Sequence, residues 1–490
     1  MYMSYFLKSI LQFLTLLLIC YQAYGAECNT SDLPEDIHKL VEQDKMDEAV
    51  KLAKQAYEKN INNKIAALYL ARVYINATLT SVVNFDMSQL GFQTGESGSR
   101  EITMDMLKKA TASRTAVNPD YLDNTNKFIH DLVRRWPEEK NLYYCLTKIH
   151  FYSGNHDEFL NQLAQTASLF KNNEQEAVNY LIDYGTELMQ SDNYDFAAEV
   201  YQALLKIFPE SVPLLSSLGV SYIKQGFTRK AMAYFEHAYK NDRSDVIVLG
   251  NLSETAMLLG EFEKAEKFLL KRADFEPDKA EIYFDLAINN MHLRPGAGND
   301  YWAKYFSIHA RHPDDEQWAK NARVIQQAAN NSDITISDWH QLAIQMIESG
   351  VPKYAIPLLH YVNKTQLQDP SVSYSRAYAY DAGKHYDLQK SALEETLKRI
   401  KQSDNKTQID IDQVYYNLSR STYMLGQYDQ ALNYLSSVSG EMKNSANIDY
   451  MYGMVYRDRG DRKKADSYFN SCLKKANGAS IENFCRDQLK

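Results

Sequence analysis

The sequence lacks several features that would assign it to a common functional class. It contains no long run of lysine or arginine, and its formal net charge is −9. Because a nucleic-acid surface requires clustered positive charge to neutralise phosphates, binding to nucleic acid is not expected. The sequence also has no Walker phosphate loop, no paired-histidine zinc helix and no cysteine–histidine nucleophile arrangement. We therefore predict no catalytic residue, no cofactor and no metal.

One histidine pair is the strongest metal candidate in the sequence. His309 and His312 lie three residues apart and are followed by Asp314 and Asp315, so imidazole and carboxylate groups could converge on an ion. Pro313 interrupts the helix at that point, and polar residues in such a segment are usually solvated. An enzyme that assembles its site from dispersed residues is a further hypothesis, which no motif supports.

Long hydrophobic runs are absent except for a short one at the N terminus. Lys8 precedes an apolar segment from Ile10 to Ile19, and small residues follow it. The segment is shorter than the roughly 18 to 20 residues of a membrane-spanning helix. This order is typical of a secretory signal, so we predict cleavage before Ala26 and export to the periplasm or cell envelope. An uncleaved membrane anchor is the alternative.

Cysteine is scarce, with five residues in the chain. Cleavage would leave Cys28, Cys145, Cys472 and Cys485, an even number that fits disulfide bonds in an oxidising compartment. Cys472 and Cys485 are the closest pair and are predicted on adjacent helices. The sequence leaves open whether they are bonded, since free buried cysteine is a common core residue.

The main feature that is present is a pattern repeated three times between Val178 and Lys279. Ala197, Ala231 and Ala265 follow one another at intervals of 34 residues. Small residues recur before them, at Gly185, Gly219 and Ser253, and further glycines occupy predicted turns at Gly226 and Gly260. A fixed period of this length indicates stacked units of supersecondary structure.

This pattern resembles the tetratricopeptide repeat family. The resemblance implies a helix-turn-helix unit in which small residues allow the two helices to cross closely and aromatic residues fill the space between units. No unit can bury its apolar face alone, so stability depends on stacking. We therefore predict an all-α fold, an α-solenoid of stacked helix-turn-helix repeats in two arrays with a joint between them.

The loss and return of the pattern divides the chain. We predict a signal peptide at 1–25 and degenerate helical repeats at 26–177 with a long loop at 78–102. A central array at 178–293, an irregular joint at 294–335, a C-terminal array at 336–477 and a capping helix at 478–490 follow.

The last two repeats present a candidate groove. Helical spacing places six side chains on one face of their first helices: Tyr416, Arg420, Tyr423, Tyr450, Met454 and Arg457. Aromatic rings beside guanidinium groups can hold an extended acidic peptide or stack on sugar rings. The alternative is that about half of these side chains pack between repeats, as aromatic residues of this family do.

Two hypotheses for function follow from the resemblance. The first is a non-catalytic, exported scaffold that binds one or more proteins or extended peptides in its concave groove. The second is a component of cell-envelope polysaccharide assembly or export that binds glycan or an export partner, since exported proteins with similar arrays occur there. Contact with a membrane is expected only if the N-terminal segment stays uncleaved.

Overall fold

The computed structural model describes residues 34–83, 113–310, 316–331, 333–366, 369–402, 408–476 and 480–489. Within these ranges the chain forms 24 α-helices and one two-stranded sheet. This confirms the all-α class and the stacking of helix pairs. The chain divides into two compact units, Met1–Tyr184 and Gly185–Lys490. The predicted signal peptide, Cys28 and His312 lie outside the described residues.

The first unit is built from helices of 8 to 17 residues whose apolar faces pack in adjacent clusters. Its helices are α1 (Glu35–Glu42), α2 (Met46–Lys59), α3 (Lys64–Thr78), α4 (Pro119–Arg135), α5 (Lys140–Tyr152) and α6 (His156–Leu169). The next helix, α7 (Glu174–Gln190), crosses the division between the units. Two of these helices have an N-cap side chain: Asn63 accepts backbone hydrogen bonds at the start of α3, and Asn118 accepts one at the start of α4.

The predicted loop at 78–102 differs from the structure at its beginning. Thr78 is the last residue of α3, and strand β1 (Leu79–Val83) follows it directly. It pairs antiparallel with β2 (Ser113–Val117), with Leu79 opposite Val117. Leu79 to Val83 is rich in β-branched residues, which favour an extended backbone. Residues 84–102 lie outside the described part of the chain.

The second unit continues with regular helix pairs. They are α8 (Tyr194–Leu205), α9 (Val212–Gln225), α10 (Thr228–Asn241), α11 (Val246–Leu259), α12 (Phe262–Phe275), α13 (Ala280–Asn290), α14 (Asn299–His309), α15 (Glu316–Asn330), α16 (Ile336–Glu348) and α17 (Pro352–Thr365). Then come α18 (Pro370–Ala382), α19 (Tyr386–Gln402), α20 (Ile411–Met424), α21 (Tyr428–Ser437), α22 (Ala446–Asp458), α23 (Arg462–Ala476) and α24 (Ile481–Asp487). No helix of the described ranges is both long and apolar enough to cross a bilayer.

Glycine allows the two helices of a pair to cross closely, as the repeat pattern predicts. A Cβ atom at Gly219 would lie 2.4 Å from the ring of Phe235, and one at Gly453 would lie 2.5 Å from Phe469. Both aromatic rings are buried. The ring of the second helix therefore occupies the space that a side chain on the first helix would need.

Within the second unit, helices of the predicted C-terminal array pack against the predicted central array; we call these contacts the clasp. One part joins the turn before α10 to the start of α19. The backbone N–H of Arg229 donates to Asp387 Oδ2 at 2.9 Å, and Asp387 N donates to the Gly226 carbonyl at 3.2 Å. The Asp387 carboxylate therefore caps the N terminus of α10 from a distant part of the chain, where helix dipoles favour negative charge.

The other part of the clasp seats the first turn of α17 against α11 and α13. Lys353 Nζ lies 3.2 Å from Glu254 Oε1, and the Tyr354 hydroxyl hydrogen-bonds Asp285. The ring of Tyr354 packs edge-on against Phe284 at 5.1 Å. Residues of α17 therefore cover one face of α11 and α13.

Burial at the clasp alters the protonation of Asp285. Its Oδ1 is buried with no hydrogen-bond partner within the described residues. Burial raises the pKa of Asp285 to about 7, and nearby Glu281 and Glu254 act in the same direction. Lys353 and the Tyr354 hydroxyl act to lower it but do not compensate.

Replacement of Gly226 by alanine should destabilise the clasp, with Gly460 as a matched control. Both glycines have φ of +87°, so alanine costs each about 1 to 2 kcal/mol of left-handed strain. A Cβ at Gly226 would also lie 2.4 Å from Tyr386 and 2.7 Å from the Lys384 carbonyl, whereas Gly460 has no neighbour within 4 Å. We expect Gly226→Ala to cost roughly 1 to 3 kcal/mol more in urea unfolding. Equal costs would contradict this packing.

Replacement of Asp285 by asparagine should remove a pH dependence of stability. In the folded protein the Asp285 carboxyl keeps its proton up to about pH 7, whereas in the unfolded chain it loses the proton near pH 3.8. The stabilisation that the raised pKa gives to the folded state is therefore complete below about pH 4 and is lost as the pH rises through 7. The difference in unfolding free energy between wild type and Asp285→Asn should therefore fall by up to about 1.4 kcal/mol per pH unit in that window. Urea unfolding at several pH values measures it, and parallel curves for the two proteins would disprove the assignment.

Candidate functional site

The first helices of the last three pairs, α18, α20 and α22, lie side by side and form the candidate groove. Neighbouring helices are joined by polar contacts across this face. The Arg420 guanidinium forms an ion pair with Asp381, which links α20 to α18. The Tyr423 hydroxyl donates to Asp458 Oδ2 at 2.5 Å, which links α20 to α22. The groove is thus held by contacts between successive units.

All six predicted groove residues lie on α20 and α22, as helical spacing predicts, and the structure adds their partners. Tyr416 and Tyr450 are half-buried neighbours, and burial raises the pKa of both hydroxyls. Met454 is half-buried, while Arg457 is exposed. Whether these residues bind a ligand stays a prediction.

The two groove arginines already have carboxylate partners. Burial lowers the pKa of Arg420, which stands beside Asp381. Arg457 Nε donates to Asp458 Oδ1 at 2.6 Å, and this hydrogen bond raises the pKa of Arg457. Burial acts to raise the pKa of Asp458, but the hydrogen bonds from Arg457 and Tyr423 outweigh it, so the net shift is downward. Binding of an acidic peptide would have to compete with both carboxylates.

A polar ladder runs along the groove between α20 and α18. Gln413 Nε2 donates to Asn417 Oδ1 at 3.0 Å, and Asn417 in turn hydrogen-bonds the Tyr374 hydroxyl. Tyr378, one turn further along α18, is 48% exposed. A small cavity of about 40 Å³ is lined by Tyr374, Tyr378 and Asn417, among other residues. Amide and phenol groups therefore line this part of the groove, and they offer both donors and acceptors to a ligand.

A larger pocket lies between α20 and α22. Its volume is about 300 Å³, and it is lined by Gln413, Tyr416, Glu441, Met442, Ser445, Asn447 and Ile448. Three of these residues belong to the connection between α21 and α22, which includes a short 3₁₀ turn (Met442–Asn444). The volume is at the lower end of the range of small-ligand pockets and suits a single large side chain.

The short helix α24 covers one end of the groove. Its residue Cys485 is buried and forms a disulfide bond with Cys472 of α23, which settles the pairing left open by the sequence. The ring of Phe484 lies 6.4 Å from that of Tyr450, and Arg457 hydrogen-bonds Gln488 just beyond the helix. Two predicted groove residues therefore contact this cap.

The structure also identifies groove residues that sequence reasoning missed. Asp381 and Tyr378 come from α18, one unit earlier than predicted, and Glu441 comes from a connection between helices. No fixed repeat offset leads to them. Asp381 could have been suggested only by its place near the end of a first helix that carries Tyr374 and Tyr378 four residues apart.

Of the two histidines in the metal candidate, His309 lies within the described residues. His309 stacks on Tyr305 with ring centroids 5.8 Å apart, and His312 lies outside the described residues. Within the part of the chain that is described, no group of three or more His, Cys, Asp or Glu side chains could hold a metal ion.

Comparisons with known proteins found similarity to tetratricopeptide-repeat proteins. A family model for the tetratricopeptide repeat matches residues 450–474, which cover most of α22 and most of α23. A solved tetratricopeptide repeat protein from Parabacteroides merdae is 13% identical over 63% of this chain and 96% of its own, with a TM-score of 0.24. YrrB, described as having an unusual peptide-binding site, is 15% identical over 40% of this chain and 97% of its own, with a TM-score of 0.31. No curated protein matches the chain.

Removal of the disulfide in the variant Cys472→Ala/Cys485→Ala should release α24. The helix has seven residues, too few to be stable alone, and Cys485 is its one buried residue. Hydrogen exchange measured by mass spectrometry should become fast in residues 480–489 and stay slow in residues 212–275. The variant is preferable to chemical reduction because Cys145 is also disulfide-bonded. Unchanged protection of α24 would show that other contacts hold it.

Proposed function

We propose that this chain is a protein of tetratricopeptide-repeat type that acts as a non-catalytic scaffold and holds an extended segment of a partner protein. The segment would lie in the groove of α18, α20 and α22. Repeat proteins of this architecture use such extended surfaces for binding, and their function does not require a catalytic site.

One observation carries the proposal: the first helices of the last three units keep an open face, whereas α11 and α13 are covered by α17. Tyr378 is 48% exposed, and a pocket of about 300 Å³ opens between α20 and α22. At α13, by contrast, Tyr354 is 6% exposed and packs on Phe284. A partner would therefore find its surface at the C-terminal array.

The proposal includes export to the periplasm or cell envelope. The pattern of Met1 to Gly25 is that of a cleavable signal. The Cys472–Cys485 bond supports the same view, because disulfides persist in oxidising compartments and are rare in the cytosol.

A second candidate function is binding of glycan in cell-envelope polysaccharide assembly or export. The observation in its favour is the ladder of Gln413, Asn417 and Tyr374 beside the exposed ring of Tyr378. Amide groups can hydrogen-bond sugar hydroxyls, and an aromatic face can stack on a sugar ring.

A crosslinking experiment separates these functions. A photoreactive amino acid in place of Tyr378 should capture a protein from an extract of the source cells, and Tyr416→Ala should abolish that capture. We expect this loss because the ring of Tyr416 lines the pocket between α20 and α22, and alanine would remove that contact surface. Circular dichroism of the variant should match wild type.

The control for this experiment is Phe275, which is 50% exposed on α12, away from the groove. The same photoreactive residue there should not capture the partner. Equal capture at Phe275, or capture that survives Tyr416→Ala, would contradict the scaffold function at this groove. Binding to envelope polysaccharide without any captured protein would favour the second function.

A further inference from the structure

Both arginines of the groove form ion pairs with carboxylates of the same chain. Arg420 is paired with Asp381, and Arg457 with Asp458. Neither guanidinium is left without a carboxylate, so the positive charge of the groove is compensated by the chain itself.

Glu441 is the charged residue that lines the larger pocket. It is exposed, and its carboxylate forms no ion pair or side-chain hydrogen bond with any residue in the described ranges. Lys443 is close in sequence and also exposed, but it does not form an ion pair with Glu441. Asp412 and Asp449, the other nearby carboxylates, are both engaged: Asp412 by Ser439, and Asp449 by Lys475.

The connection that carries Glu441 is held in place. The N–H and hydroxyl of Ser439 donate to Asp412 Oδ1 at 2.9 and 3.0 Å. At the other end of the connection, Ser445 begins α22 and accepts a hydrogen bond from Ile448 N. Between them, the Asn444 N–H donates to the Glu441 carbonyl at 3.1 Å. Glu441 therefore stands on a fixed turn at the rim of the pocket.

The remaining lining supplies polar groups, two apolar side chains and one aromatic ring. Gln413 uses its amide N–H toward Asn417, which leaves its carbonyl oxygen as an acceptor. Tyr416 contributes a ring, and Met442 and Ile448 contribute apolar contact for an aliphatic stem. A carboxylate, an amide oxygen and an aromatic ring around one pocket match the chemistry of a cationic side chain with a long stem.

We propose that the pocket between α20 and α22 selects a lysine or arginine side chain of the bound segment, with Glu441 as its counter-ion and Tyr416 as its aromatic wall. This specificity rests on the proposed function, because it presumes that a peptide lies in the groove. The net charge of −9 favours association with such a basic segment. A basic segment is the opposite in charge of the acidic peptide that the sequence alone suggested.

Selection from a random peptide library displayed on phage tests this specificity on the full, oxidised chain. Peptides recovered on wild type should be enriched in lysine or arginine at one position. A recovered peptide should bind Glu441→Gln about tenfold more weakly, as expected for loss of one charge-assisted hydrogen bond. Its binding should also weaken with added salt. Exchange of arginine for lysine in the peptide shows which head group is preferred.

Glu199, an exposed glutamate on α8, provides the control: Glu199→Gln should bind the peptide as wild type does. Tyr416→Leu keeps apolar bulk but removes the ring, and should weaken binding of the basic peptide more than of its norleucine analogue. Recovered peptides without a basic preference, or equal binding to wild type and Glu441→Gln, would overturn the specificity and leave the scaffold function standing. Recovery of no groove-binding peptide would instead count against the scaffold function itself.

Discussion

The structure depends on the close crossing of the two helices within each repeat. At Gly185, Gly219 and Gly453 the aromatic ring of the second helix fills the place of a Cβ atom, at distances of 2.4 to 2.5 Å. Because a side chain at any of these positions would collide with a buried ring, the crossing of a pair is fixed by the sequence. In the groove, Gly453 of α22 provides this crossing, and Ser419 occupies the corresponding position of α20.

The faces of the first helices serve two different purposes in the second unit. On α11 and α13 the face is covered by α17, through Lys353 and Tyr354. On α18, α20 and α22 it stays open. After α13 the chain forms a 3₁₀ turn (Pro295–Gly298), which packs so tightly that a Cβ at Gly298 would lie 2.5 Å from the Ala287 carbonyl oxygen. Helices of one repeat type therefore form an internal interface in one part of the unit and an accessible surface in another.

The regular parts of the fold could be predicted from the sequence, and the irregular parts could not. Helices α9 and α11 begin at Val212 and Val246, 246 − 212 = 34 residues apart, so the fixed interval located them, and the same interval located the groove residues on α20 and α22. The interval of 34 residues does not hold across α19, because α19 has 17 residues whereas α10 has 14. For that reason the interval could not locate Asp381 on α18 as the partner of Arg420. The clasp was not predictable, because Asp387 and Arg229 are 158 residues apart and no periodic pattern connects them. The pairing of β1 with β2 was not predictable for the same reason, since residues 84–112 separate the two strands and no periodic pattern connects them.

The charge arrangement of the groove limits which partners bind without a penalty. An acidic segment would have to displace Asp381 from Arg420 or Asp458 from Arg457, and each displaced carboxylate would then lie near the incoming negative charge. An incoming carboxylate would thus only exchange with an existing partner at each arginine, and ion pairs exposed to this extent contribute little net free energy. A cation at Glu441 breaks no existing contact among the described residues and adds a partner to an unpaired carboxylate. The internal pairing of the arginines therefore makes the groove, despite its two guanidinium groups, better suited to a basic segment than to an acidic one.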